Sequence, residues 1–217
     1  MTDTEDSTAP LTRRQRRAAF VTHLYRLQRD LSSPNRHAAS EARRQLAVLR
    51  RASGGLRYEA QRYDILFVFD PPRDEEAVWL TAAMLFAQKP HPRPVGPWSR
   101  ASIGTAMGLL AQQRQASVAR RFTQLVSVDT ASLAHYLRQA LQLVGGATTG
   151  VDFYRLLDDL VDLLGDDHTI VGEDNRTRIR LEWARDYSRA LRGRPGRQVP
   201  RPGPPAPAEV NAAPSSD

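Results

Sequence analysis

The fold class is decided by residues 129–164, which read DTASLAHYLRQALQLVGGATTGVDFYRLLDDLVDLL. Apolar side chains recur there every three or four residues, the spacing that places them on one face of an α-helix. Asp129 or Thr130 is suited to cap a first helix, Gly145-Gly146 to end it, and Asp152 to begin a second one. The apolar faces consist of Leu133, Leu137, Ala140, Leu141 and Val144 in the first helix, and of Phe153, Leu156, Leu157, Leu160 and Leu164 in the second.

The same helical spacing extends to both sides of this stretch. Residues 58–69 include Ile65-Leu66-Phe67-Val68-Phe69, whose composition suits a strand, but a short buried helix is favoured because the neighbouring patterns are helical. The chain is therefore predicted to be all-α, a compact irregular bundle of about nine helices with no significant sheet. The other predicted helices lie at about 12–31, between Ser33-Pro34 and Gly54-Gly55, after an Asp74 cap, from a Ser102 cap to about 115, at about 117–127, and at about 173–192, where Ile179, Trp183 and Tyr187 point inward.

The two ends of the chain differ from its middle. We expect residues 1–12 to be a flexible acidic N-terminus and residues 13–192 to form the helical domain, with possible halves 13–88 and 101–192 joined by a proline-rich loop. Residues 193–217 hold seven of the 15 prolines and almost no large apolar side chain. Such a composition buries too little surface to offset the entropy of ordering, so this tail is predicted to be disordered.

The composition excludes several classes of protein. The chain has no cysteine, so disulfides and thiolate metal sites are excluded. No run of eighteen apolar residues exists, so a membrane span is not expected. The acidic first ten residues do not have the pattern of a signal peptide. We expect a cytoplasmic protein.

No pattern of catalytic residues emerges from the sequence. The histidines are scattered and none stands in a His-Glu-x-x-His arrangement, and Gly145-Gly146 lacks the Lys-Ser/Thr partner of a phosphate-binding loop. We predict no enzymatic activity, no cofactor and no metal. One acidic string stands out, but it is interpreted as the solvated face of an amphipathic helix: Asp158, Asp159, Asp162, Asp166 and Asp167.

The charge balance is the informative part of the composition. Residues 13–192 hold 28 basic and 19 acidic residues, a net charge of +9. Of the 31 basic residues only Lys89 is lysine. A GC-rich coding sequence explains the preference for arginine over lysine, but it does not explain the excess. A folded domain with this charge is suited to a polyanionic partner.

The arginines are also clustered along the chain. The simplest interpretation of any single arginine is that it is solvated or ion-paired, for example Arg138 with an acid on a neighbouring helix. Arg51 and Arg121, however, stand at the edges of apolar stripes, where the stem packs and the guanidinium is fixed in direction. The sequence lacks interleaved aromatic and basic residues, zinc fingers and helix-turn-helix signatures. As a set, the arginines therefore favour sequence-independent contacts to nucleic-acid phosphates.

A series of short motifs occurs in a characteristic order over residues 13–192. The series resembles the CasB family, the small subunit of the type I-E CRISPR surveillance complex called Cascade. The motifs are Leu49-Arg50-Arg51-Ala52, Pro72-Arg73 ahead of Ala82-Ala83, Ser102-Ile103-Gly104, Arg120-Arg121-Phe122, Leu137-Arg138, Asp152-Phe153 and Trp183-Ala184-Arg185-Asp186-Tyr187.

The resemblance implies a helical subunit without enzymatic activity. Two copies would lie beside the Cascade backbone and large subunits and support the hybrid of crRNA and target DNA, together with the displaced strand. Ser127 stands where relatives can carry a basic residue, so no contact is expected there. The alternatives are a helical adaptor or regulator that binds acidic proteins, and a hydrolase that uses the acidic string. The nucleic-acid-binding residues implied are Arg51, Arg73, Arg121 and Arg138, together with Arg120, Arg178 and Arg180.

Overall fold

The computed structural model of the chain describes residues 10–51, 56–113, 115–145, 150–165 and 170–193; the side chains of 56–59, 115–116 and 170–173 are not included. Within those residues the chain forms nine α-helices, two short 3-10 turns and no strand. The predicted all-α bundle is confirmed. Residues 1–9, the Gly54-Gly55 stop and residues 194–217 lie outside the described residues, and the division into halves 13–88 and 101–192 stays a prediction.

The helices follow one another with short connections. Their bounds are α1 Arg13–Asp30, α2 Arg36–Arg50, α3 Leu56–Phe67, α4 Glu76–Gln88, α5 Ile103–Ala111, α6 Gln115–Ser127, α7 Thr130–Val144, α8 Phe153–Leu164 and α9 Ile170–Leu191, with 3-10 turns at Arg73–Glu75 and Gly96–Trp98.

The helix starts are set by polar caps, as the sequence indicates for most of them. Ser102 accepts a bond from the N–H of Thr105, and Asp129, rather than Thr130, accepts one from the N–H of Ser132. Asp152 caps α8 in the same way. Each cap satisfies an N–H that has no partner within its own helix.

The predicted Asp74 cap is wrong. Asp74 lies inside the 3-10 turn that precedes α4, and the residue at the N-cap position of α4, Glu75, makes no side-chain capping bond. Pro72 stands at the N-cap position of this turn, two residues before the predicted cap. The carboxylate of Asp74 instead accepts a 2.7 Å bond from Arg13 of α1, so a tertiary partner has replaced the local one.

The segment with strand-like composition forms α3, and the predicted helix is confirmed. The predicted burial holds only in part: Leu66 is buried, whereas Phe67, the last residue of α3, and Val68, which follows the helix, are 51% and 79% exposed. Phe69 returns to the core, where its ring meets that of Phe20 edge-on with centroids 5.6 Å apart. Asp70 then turns the chain with a positive φ of 47°.

Helix α4 is the centre of the molecule. Its neighbours are α1, α2, α3, α7 and α8. Trp79 stacks on Phe20 of α1 with ring centroids 5.1 Å apart, and Phe86 meets Phe153 of α8 edge-on at 5.0 Å. A helix with neighbours on most of its sides needs an apolar surface that is wider than a single stripe, and α4 has seven buried apolar residues: Val78, Trp79, Ala82, Ala83, Leu85, Phe86 and Ala87.

Helices α5 and α9 pack with their main chains close together. Gly104 and Gly108 lie one turn apart on α5 and face the main chain of α9. A Cβ at Gly104 would lie 2.1 Å from the carbonyl oxygen of Trp183, and one at Gly108 would lie 2.5 Å from that of Tyr187. The two glycines therefore allow backbone-to-backbone contact. None of the described helices is long and apolar enough to cross a membrane.

Candidate nucleic-acid interface

Four arginines gather around the C-terminal half of α4, and we call them the α4 arginine cluster: Arg50, Arg51, Arg62 and Arg138. The Nε of Arg50 donates to the main-chain oxygen of Ala87, and Gln88 donates to the carbonyl of Arg50 at 3.4 Å. These bonds tie the end of α2 to the end of α4.

Arg51 is the residue at which α2 ends. It adopts an extended conformation (φ −76°, ψ 102°), its N–H donates to the carbonyl of Val48, and its side chain is exposed. Its own carbonyl accepts a 2.6 Å bond from Nη1 of Arg62 on α3. The α2 end is therefore bound on one side to α4, through Arg50, and on the other to α3.

Arg138 enters the cluster from α7. Its Nη2 lies 3.8 Å from the sulfur of Met84, which stands one turn before Ala87 on α4, and its Nε is buried without a hydrogen-bond acceptor. A thioether is a weak acceptor. The sequence also allowed Arg138 to pair with an acid on a neighbouring helix instead of binding nucleic acid. No described carboxylate, however, lies within ion-pair distance of Arg138.

The cluster carries more positive charge than the described part of the protein balances. Arg62 is only 9% exposed, and neither it nor Arg50 or Arg138 has an ion-pair partner in that part of the chain. The carbonyls at the ends of α2 and α4 carry partial negative charge and offset part of this. Arg50 is exposed and Arg138 half-buried, so their charge, which the described residues leave unbalanced, favours an external anion, whereas Arg62 is too deeply buried to meet one.

Arg73 lies far from this cluster. It is exposed in the 3-10 turn before α4, whereas the cluster surrounds the other end of that helix. At 1.5 Å per residue the two are about 20 Å apart along the helix axis. Arg73 can therefore contact a strand only at a separate point.

Arg120 and Arg121 form a third exposed group on α6. The next residue, Phe122, is buried and stacks on Tyr187 of α9 with ring centroids 4.2 Å apart. This stacking holds α6 against the bundle, so the two arginines project from a fixed surface.

Arg178 and Arg180 on α9 both bind acceptors of the protein itself. Arg178 pairs with Asp162 at 3.1 Å and Glu182 at 2.8 Å. Partial burial opposes its charge, but the bonds to these two carboxylates outweigh it and raise its pKa. Arg180 is half-buried and donates a 2.6 Å bond to the carbonyl of Val128, between α6 and α7. Arg178 is exposed but already paired with two carboxylates, and Arg180 is half-buried, so both are less available to a ligand than the exposed Arg120.

The arginines at the start of α1 are also used internally. Arg17 makes two 2.7 Å bonds to Glu75 and a 3.1 Å bond to Asp158. Glu75, whose side chain is 3% exposed, also accepts a 3.0 Å bond from the indole of Trp79. Burial alone would raise the pKa of Glu75, but the bonds from Arg17 and Trp79 outweigh it and lower that pKa.

The acidic string is structural, but its predicted solvation is wrong for one member. Asp159 is 1% exposed and accepts a 2.8 Å bond from the indole N–H of Trp183, because α9 covers the part of α8 that the sequence pattern assigns to solvent. Asp158 and Asp162 bind Arg17 and Arg178. No group of three potential metal ligands occurs among the described residues, and 166–167 lie outside them.

Sequence reasoning missed Arg62 as part of the site. A signal was available, because Arg62 and Leu66 are four residues apart and share a face of α3. Both are buried, so a charged residue stands on the apolar side of an amphipathic helix. The uncertainty between strand and helix at residues 58–69 concealed this pattern.

Comparisons with known proteins agree with the fold and the motif order. The family model for CRISPR-associated protein Cse2 matches residues 45–187. The CRISPR-associated protein Cse2 of Thermus thermophilus is 36% identical over 114 residues, which is 52% of this chain and 57% of that protein; the aligned part thus spans little more than half of the relative.

Two solved structures extend the likeness over most of the chain. M. ruber CasB is 25% identical with a TM-score of 0.57, covering 85% of this chain and 97% of that one. A chain of a structure described as a CRISPR RNA-guided surveillance complex has a TM-score of 0.58 at 17% identity, covering 83% and 94%. With the family model matching well over half of its residues, the chain belongs to the CRISPR-associated Cse2 family.

Proposed function

We propose that the chain is the non-catalytic small subunit of a type I-E CRISPR Cascade complex in the cytoplasm, contributing to antiviral defence by stabilising the R-loop. Its partners are crRNA, both strands of the target DNA, the Cascade backbone and large subunits, and a second copy of itself. Membership of the Cse2 family and the fold shared with a chain of an RNA-guided surveillance complex support this assignment.

The α4 arginine cluster is the observation that carries the proposed mechanism. The guanidinium groups of Arg50 and Arg138 lack carboxylate partners among the described residues, so phosphates of a bound strand supply the missing counterions. Contacts of this kind do not depend on base sequence. They suit a complex in which the guide RNA selects the target.

Modest contacts are enough to shift an R-loop equilibrium. Exchange of a DNA duplex for an RNA–DNA hybrid is close to neutral in free energy, so a few phosphate contacts tip the balance. Arg73, Arg120 and Arg121 are exposed at other points of the surface and extend the contact along the strands. Arg178 and Arg180 contribute by holding α8, α9 and the α6–α7 junction together.

The test uses the complex assembled with its guide RNA and a labelled duplex matching the guide. Arg51→Ala, Arg121→Ala and Arg138→Ala should each weaken target binding to a similar degree for every target sequence. Each should also reduce the slope of log affinity against log salt, by roughly 0.7–0.9 for every phosphate that the complex no longer neutralises.

Arg44→Ala is the matched control, because Arg44 is an exposed arginine on α2 that is already paired with Glu41 at 2.6 Å. It should leave affinity and salt slope unchanged. If Arg51→Ala, Arg121→Ala and Arg138→Ala all leave the target affinity and its salt dependence at the native values, the proposed mechanism is contradicted. A chain that assembles only with an acidic protein, and in the absence of guide RNA, would instead support the adaptor alternative.

A further inference from the structure

The end of α2 is capped by a side chain from another helix. The last carbonyls of a helix have no partner within it and require a donor from elsewhere. At Arg51 that donor is Nη1 of Arg62, at 2.6 Å. Arg62 is 9% exposed and its Nε is buried without an acceptor, so its main-chain bond to Arg51 is the principal polar contact of this guanidinium within the described structure.

Arg62 is too deeply buried to clamp a nucleic-acid strand itself. Its effect reaches the surface through Arg51, whose side chain is exposed and whose main chain leaves the helical conformation at that residue. A hydrogen bond to a carbonyl fixes the plane of the peptide group. Fixing that plane fixes the direction of the adjoining Cα–Cβ bond.

We propose that Arg62 is a positioning residue that holds the carbonyl of Arg51 and so directs the Arg51 side chain towards a nucleic-acid phosphate. The inference rests on the proposed role of Arg51 in strand binding. A side chain with a fixed starting direction loses less conformational entropy on binding than one on a loose helix end. The hydrogen bond of Arg62, rather than its charge, is therefore the property that matters.

Two substitutions separate the hydrogen bond from the charge. Arg62→Met keeps much of the volume but has no donor, whereas Arg62→Gln keeps an N–H donor and loses the charge. In the guide-loaded complex, with labelled duplex target, Arg62→Met should weaken binding about fivefold. Arg62→Gln should stay within about twofold of the native affinity and keep the native salt slope, because the retained hydrogen bond still orders the side chain of Arg51.

A double substitution tests whether Arg62 acts through Arg51. Two residues that serve one interaction are not additive. The complex with both Arg51→Ala and Arg62→Met should therefore bind no more weakly than the complex with Arg51→Ala alone.

Arg176→Met is the control for a purely structural loss. Arg176 donates to the carbonyl of Gly165, the residue at which α8 ends, at 3.3 Å. It thus supports a helix end as Arg62 does, but at α8. Its replacement should lower the free energy of unfolding of the full chain without changing target affinity.

The outcomes distinguish this inference from the function on which it rests. If Arg51→Ala weakens binding and Arg62→Met does not, Arg62 has no positioning role and the proposed function stands. If Arg51→Ala has no effect, the proposed mechanism itself fails at this site. If Arg62→Met does not assemble, Arg62→Gln decides alone, because a loss as large as that of Arg51→Ala would show that the charge acts directly.

Discussion

At the scale of single residues, the buried carboxylate of Glu75 binds side chains of two helices, α1 and α4. Arg17 binds it through two nitrogens and Trp79 through its indole. These bonds lower the pKa of Glu75 in the folded chain against the opposing effect of burial. A lowered pKa means that the carboxylate stabilises the fold above its ordinary pKa of about 4.5, and that this stability is lost as the pH falls through the lowered value.

Glu75→Gln should reduce the free energy of unfolding at pH 7 by about 2 kcal/mol. This loss lies below the usual 3–5 kcal/mol for breaking a buried pair. Arg17 keeps its ion pair with Asp158 in the variant, and the glutamine can still accept a hydrogen bond from the indole N–H of Trp79. The variant should also lose less stability than the native chain between pH 5 and 3. Denaturant unfolding at several pH values measures both effects.

Glu41→Gln serves as the comparison for an exposed pair. Hydrogen bonds from Arg44 and Gln45 lower the pKa of Glu41 to about 2, yet its side chain is open to water. Solvent screens such pairs, so a change of at most about 0.5 kcal/mol at pH 7 is expected. Equal losses for Glu75→Gln and Glu41→Gln would contradict the role given to burial.

Residue-level patterns predicted the local contacts and missed those made between helices. Ser102, Asp129 and Asp152 cap their helices because the N–H groups they bind are two or three residues away in the chain. Asp74 has cap chemistry too, but Arg13 captures its carboxylate from α1. Arg62 could be placed on an apolar face by its spacing; that it holds Arg51 could not be known before α2 and α3 were placed.

At the scale of helices, α5 and α9 pack with their main chains close together at Gly104 and Gly108. Gly104→Ala raises helix propensity by about 1 kcal/mol in isolation, so any destabilisation must come from the contact. The added methyl would lie 2.1 Å from a main-chain oxygen of α9, and no side-chain rotation can relieve that overlap.

We expect Gly104→Ala to lower the free energy of unfolding by about 3 kcal/mol, at the upper end for overpacking. Thermal and denaturant unfolding of the full chain measure this loss. A variant as stable as the native chain, or more so, would show that α5 and α9 do not approach this closely.

The sequence predicted which helices exist better than which faces they bury. Period and caps locate α7 and α8 because both signals are local. The burial of Asp159 depends on α9 covering that side of α8 through Trp183. A hydrophobicity pattern cannot distinguish a charged residue facing water from one facing an indole N–H.

At the scale of the whole molecule, residues 194–217 are not expected to support the domain. Their proline-rich, apolar-poor composition offers little surface to bury, and α9 ends before them at Leu191. A chain ending at Gly193 should therefore co-purify with the complex and unfold with native stability. Loss of the shortened chain from the purified complex would instead assign these residues to assembly.

The central position of α4 also bears on how the chain folds during synthesis. The first helices can cover one side of α4 early, since Phe20 of α1 meets Trp79. The other side waits for α8, because Phe86 packs on Phe153 and Arg17 binds Asp158, a pair separated by 141 residues. Contacts so distant in the chain slow folding, and an incomplete chain on the ribosome exposes an apolar helix until then. Rapid translation through α8, or a chaperone that shields α4, would favour a high yield of the folded subunit.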